Sequence, residues 1–257
     1  MGIVTTTGDH RRRIRALERR LSIGSAPGQL TEDELDTLPE AARRYFAHAM
    51  APGAPLAQAA RVRMRGQLKL GARWLPFRAH EVLAPRAGFV WAARVAGLVT
   101  GSDHYVDADG ALDWKLLGLI RVMHASGPDV ARSAAGRGAA EGVWVPSALL
   151  PRFGVDWSSE TDDHIVANYR IDDVDLELHC RLDAEGRLRS ITFDRWGDPD
   201  ETGSYGQHPF GVEVTGYDAF GPYAVPSAGR AGWFPHSDRW PESVFFRYQL
   251  THYQPVP

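Results

Sequence analysis

Arg137 and Glu141 stand four residues apart in the run Arg137-Gly138-Ala139-Ala140-Glu141-Gly142-Val143-Trp144. On a helix that spacing sets a guanidinium beside a carboxylate on one face, and Trp144, three residues further on, shares it. Such a face admits two readings. The arginine holds a carboxylate at a pocket wall, where it can exchange a proton with a ligand. Or the two form an exposed helical ion pair worth only ~0.2–0.5 kcal/mol. A second group of acid–base types is Asp103-His104-Tyr105-Val106-Asp107. The alternation of a strand turns His104 to the side opposite Asp103 and Tyr105. The same residues also read as a strand end entering a turn that Asp107 initiates. Arg121, in an otherwise apolar stretch, and Asp156, just before Trp157, fit either a pocket or a simple ion pair.

The catalytic candidates are therefore Glu141, Arg137, His104 and Tyr105. The eight tryptophans are spread over nearly every segment, and each buries a large ring carrying one N–H that needs a partner. Core packing accounts for most of them. Aromatic walls also suit an apolar ligand, so Trp91, Trp144, Phe89, Trp157 and Arg121 are the candidate ligand contacts. No nucleotide-binding glycine fingerprint, phosphate loop, nucleophile elbow or zinc spacing is present, and ten scattered histidines with one cysteine suggest no metal. The chemistry expected is thus free of cofactor and metal.

The elements that would carry these residues follow from hydrophobic period. Residues 10–21 place Ile14, Leu17 and Leu21 at helical spacing among six arginines. This basic amphipathic helix reads as a solvated terminal helix or as a weak contact with a membrane surface. A Gly/Ser/Pro linker follows at 24–29. Thr31 and Glu34 form a capping-box pattern, and 40–50 is a second helix ended by Pro52-Gly53. From 61 the period becomes two, with Val62, Met64, Leu68 and Leu70 alternating with polar residues. Further strands are expected around Leu75–Ala79, Phe89–Val95, 104–116 as a hairpin, 165–171, 174–182, 188–196, 212–217 and 244–252. Residues 128–150 read as a helical insertion opened by Pro128, and 221–241, rich in Pro and Gly, as a long ordered loop. Cys180 falls in the alternating run Leu176, Leu178, Cys180, Leu182 and reads as a buried, inert thiol.

The chain has 257 residues with 29 basic and 32 acidic side chains, a net charge of -3. There is no basic field for nucleic acid. A single cysteine excludes an internal disulfide framework. No apolar run approaches the ~18–20 residues of a membrane span, and no secretory h-region follows the N-terminal basic stretch, so a cytoplasmic location is expected. The division expected is a basic helix and linker over 1–30 and one β-rich domain over 31–257.

Phe89 and Trp91, then Arg137, Ala140 and Glu141, then Trp144, Pro146 and Leu149 together resemble a bacterial family of uncharacterised proteins with a Phe-x-Trp strand, an Arg-x-x-Ala-Glu helix and a Trp-x-Pro-x-x-Leu sequel. Trp157 and a turn at 221–226 match more weakly, and the likeness runs over 38–233. The family's helix usually reads Arg-Tyr-Leu-Ala-Glu, so Gly138 and Ala139 are expected to leave extra room beside Glu141. The resemblance implies an α+β fold, a large curved antiparallel sheet forming an open half-barrel like those of lipoprotein carriers, with N-terminal helices and the helical insertion. It implies no reaction. Three functions are then weighed. One is a cofactor-free enzyme of isomerase, cyclase, dehydratase or hydrolase type acting on a small hydrophobic metabolite, favoured by the missing export signal. The alternative is a carrier of lipid or another hydrophobic ligand without catalysis. A third, a protein-interaction module built on the basic helix, has no other support.

Overall fold

The computed structural model describes residues 7–22 and 28–256. Part of the 24–29 linker lies outside the described residues. Helix α1 (Thr7–Leu21) is followed by α2 (Glu32–Asp36) and α3 (Glu40–Ala49). The Thr31 N–H donates to the Glu34 carboxylate at 3.2 Å, the capping box expected from the sequence. A first meander then runs through β1 (Ala59–Leu70), β2 (Arg73–Ala84), β3 (Gly88–Val95), β4 (Val99–Val106), β5 (Asp109–Leu116) and β6 (Ile120–Ser126). Helix α4 (Pro128–Ala140) and short 3-10 turns at Glu141–Trp144, Pro146–Leu149 and Pro151–Phe153 cross to the far edge. A second meander comes back through β7 (Asp156–Thr161), β8 (His164–Ile171), β9 (Val174–Leu182), β10 (Leu188–Gly197), β11 (Gly206–Phe220) and β12 (Tyr223–Trp233). A turn of helix, α5 (Trp240–Ser243), leads into β13 (Val244–Val256), which pairs with β1.

The result is one antiparallel sheet of 13 strands in the order β6-β5-β4-β3-β2-β1-β13-β12-β11-β10-β9-β8-β7, open at β6 and β7. This is the α+β open half-barrel of the sequence reading. Helix α4 lies in its hollow, touching β3, β4 and β5 on one side and β9 and β10 on the other. It can lie that close because it is built of small residues. Ala135 and Ala139 have no exposure, and a Cβ on Gly110 of β5 would stand 2.5 Å from the Cα of Ala131. The main core fills the hollow. A smaller one on the outer face buries Ile14 and Leu21 of α1 against Val82, Ala84, Val90 and Val106. The apolar stripe of α1 is thus covered by the sheet, and ion pairs Arg13–Asp109 (2.9 Å) and Glu18–His80 (2.9 Å) flank it.

Two features differ from the sequence reading. The stretch 221–241 is not a long loop: most of it is strand β12. Its glycines belong to the strand because neighbouring backbone and rings leave no room for side chains. A Cβ on Gly229 would lie 2.5 Å from the Glu213 carbonyl oxygen and 2.8 Å from the Tyr248 ring. Gly138 also opens no room of its own, because the Phe89 ring packs onto it, 3.0 Å from where a Cβ would sit.

Candidate functional site

Strand register builds the site first. Glu81 of β2 pairs with Trp91 of β3, and Trp91 pairs with Asp103 of β4. Residues directly opposite across strands face the same side, so these three point together into the hollow. Above them α4 delivers Arg137 from its last turn, and the following 3-10 turn delivers Glu141 and Trp144. Arg137 Nε donates to Glu141 Oε1 at 2.9 Å, and Nη1 donates to Asp103 Oδ2 at 3.1 Å. Its Nη2 lies 3.9 Å from Glu81 Oε1. The Trp114 N–H supplies the other Asp103 oxygen at 2.8 Å. The guanidinium also rests over the rings of Phe89 (4.6 Å) and Trp91 (5.2 Å).

Glu81 is the unusual member. Its side chain has no exposure, and neither oxygen accepts a hydrogen bond from a described residue. Burial pushes its carboxyl well above the usual range, and the neighbouring Glu141 pushes it further, against the pull of Arg137. A protonated Glu81 has Glu141 as its acceptor, and Glu141 Oε2 is otherwise buried without a partner. Burial also raises Asp103, with Arg137 and Trp114 opposing. Arg137 is held more firmly protonated than usual by its carboxylates, which outweigh its burial.

Beside this cluster lies a cavity of about 190 Å³. The 3-10 turn covers it with Val143 and Trp144, and β10 to β13 supply Ile191, Phe210, Val212, Val214, Ala231, Phe246 and Tyr248. Trp91, Asp103, Arg137 and Glu141 stand at its polar end together with Arg195 of β10. Trp144 is fixed by its N–H, which donates to the Pro226 carbonyl at 2.8 Å. Of the candidates read from the sequence, the fold therefore brings Glu141, Arg137, Trp91 and Trp144 to one cavity. The others go elsewhere. His104 is buried on the opposite face of β4, neither ring nitrogen having a partner among the described residues, its pKa lowered by burial and by Arg13. The Tyr105 hydroxyl donates to Asp172 at 2.5 Å. Phe89 lies beneath Arg137 rather than on the cavity wall. Arg121 sits on the edge strand and donates to Asp113 at 3.2 Å. Trp157 packs on Tyr45 and Phe46 and donates to the Leu149 carbonyl at 2.8 Å.

Sequence reasoning missed Glu81 and Arg195. A signal existed for both: each is a charge in an inward-facing period-two row, Phe77-Ala79-Glu81-Leu83 and Ile191-Phe193-Arg195. It also missed a possible metal-binding group. On the outer face of β7 to β9, Glu160, His164 and His179 bring ligand atoms within 4.8 Å of one another. A bulge between Ser159 and Thr161 aims Glu160 there, and each histidine is within 2.9 Å of a glutamate, Glu160 or Glu177.

Residues 28–243, more than four-fifths of the chain, match a family of unknown function, DUF6544. The chain belongs to that family. No curated protein matches this DUF6544 sequence. Solved structures similar to it include a LolA superfamily protein from Nitrosomonas europaea, with a TM-score of 0.46 and 8% identity over 91% of this chain and 95% of that one. A domain described as an outer membrane lipoprotein-sorting protein from Vibrio parahaemolyticus has a TM-score of 0.41 and 10% identity over 86% and 93%. A DUF1329 family protein from Desulfovibrio piger has 0.38 and 9% over 95% and 92%.

The enzymatic reading of the sequence is corrected here. Two of its four catalytic candidates, His104 and Tyr105, lie away from the cavity, and the other two, Arg137 and Glu141, are held by each other. In the DUF6544 chain this cluster braces α4 against the sheet.

Proposed function

We propose that this DUF6544 protein binds a small hydrophobic molecule between the sheet and the cover formed by α4 and its 3-10 turn, without transforming it. One observation carries the reading: the cavity is walled by Val143, Trp144, Ile191, Val212, Val214 and Phe246, with charge confined to one end. An apolar void of this kind stays dry and favours apolar occupants. At about 190 Å³ it is smaller than the ~300–1,000 Å³ of typical ligand sites, and holds on the order of six water-sized groups. The occupant is therefore a short chain or single ring. Among the described residues no helix is long and apolar enough to cross a membrane.

Calorimetric titration with 1-octanol tests this. Saturable binding is expected in the wild type and its loss in Val214→Phe, which fills the void while keeping the strand apolar. A wild type that takes up no alkyl or aryl compound, or a filled variant that binds equally well, rules the site out.

A further inference from the structure

Four ionic side chains line the cavity, two arginines and two acids, and three of them are bonded together: Arg137 donates to Asp103 at 3.1 Å and to Glu141 at 2.9 Å. Arg195 is the exception. Among the described residues no carboxylate lies within 4.0 Å of it, and its one hydrogen bond runs from Nε to the Ser133 carbonyl at 3.2 Å. The rings of Phe210 (4.7 Å) and Trp233 (5.4 Å) support the guanidinium and fix its plane. The terminal nitrogens, the pair that grips a carboxylate side-on, have no acceptor among the described residues. We propose that the molecule held in the cavity is a monocarboxylate with a short apolar tail, and that Arg195 binds its head group.

The proposal rests on the binding reading above and adds the ligand's class. Donors drawn out of water and left unpaired are costly, and a ligand whose two oxygens accept from them removes that cost. Burial pulls the Arg195 pKa down to about 10, with Arg137 adding to the pull and Glu141 and Asp103 opposing it. Arg137 already holds both acids of the site, so the guanidinium edge of Arg195, left without an acceptor, takes one carboxylate side-on. A dianionic phosphate would set a second negative charge against Asp103 and Glu141. A cation would have to meet Arg195 and Arg137, and the acid hidden deepest, Glu81, does not line the cavity. The tail then lies along Ile191, Val212 and Val214.

Titration of the whole protein at pH 7.5 with octanoate, 1-octanol, octylamine and octyl phosphate separates the outcomes. Octanoate is expected to bind at least about tenfold more tightly than octanol, as a charge-assisted bidentate contact requires. Arg195→Met keeps the apolar stem and should bring the two within about twofold, whereas Arg195→Lys should keep part of the preference. Equal binding of octanoate and octanol by the wild type, or stronger binding of octylamine or octyl phosphate, overturns the assignment to Arg195 and leaves the cavity reading standing. If no compound binds saturably, the cavity reading itself is wrong. Should the Met variant fail to fold, the wild-type series decides alone.

Discussion

Glu81 is where a single residue most exposes the physics of this site. Burial makes the folded protein hold the Glu81 proton more tightly than the unfolded chain does. A carboxyl with a raised folded pKa contributes stability that is fully present below its unfolded value, ~4.3, and that is lost as pH rises through the folded value. Glutamine has the shape of the protonated acid and cannot ionise. Glu81→Gln should therefore melt with the wild type at pH 4 and about 2–4 °C above it at pH 8, roughly 1 kcal/mol for a chain of this size. Tm curves that run parallel across that range would show that Glu81 is not held protonated. Cys180 offers a second residue-level test. It is buried in the core, and burial alone pushes its thiol up to about 12. With the thiolate so scarce at neutral pH, a thiol reagent should leave the native protein unlabelled over hours and label it within minutes in denaturant. Fast native labelling would mean that β9 opens readily.

At the scale of elements, β12 carries the sharpest expectation. It ends the second meander, between β11 and β13, with Gly229 beneath the Tyr248 ring and against the Glu213 carbonyl. Gly229→Ala forces a methyl into both and should lower the unfolding free energy by about 1–3 kcal/mol in a denaturant titration. An unchanged midpoint would mean that the strand shifts freely, and the cavity wall formed by Ala231 would not be rigid either. Helix α4 shows the converse use of small residues. Its alanines favour the helix and its glycines, Gly136 and Gly138, cost it about 1 kcal/mol each, yet together they let it sink into the hollow and set Arg137 over Trp91 and Phe89.

The molecule as a whole is closed by its last strand. Strands β1 and β13 are neighbours in the centre of the sheet although they lie at opposite ends of the chain. Without β13 both β1 and β12 would present unpaired backbone in mid-sheet, and Phe246 and Tyr248 would leave the cavity wall. A chain ending at Ser243 should show no cooperative unfolding transition by circular dichroism. A truncated protein that still melts cooperatively would mean that the first meander folds by itself. Since these contacts join distant parts of the chain, folding should be slow for its size.

Much of the fold was legible in the sequence because half-buried strands alternate and amphipathic helices repeat every three to four residues. The strands missed, β6 and β7, lie at the two edges of the sheet, where exposure on both faces erases the alternation. Strand β12 was hidden by glycines that read as breakers when the ring that demands them is 19 residues away at Tyr248. The same divide runs through the site. Spacing alone placed Arg137, Glu141 and Trp144 together, because they sit within two turns of one segment. That Glu81, Asp103 and Arg195 join them followed only from strand register and from the path of α4 through the hollow. Sequence spacing states which residues share a face of one element. Which faces meet, and so which charged groups find partners and which one keeps free donors, is decided by long-range pairing that no local pattern encodes.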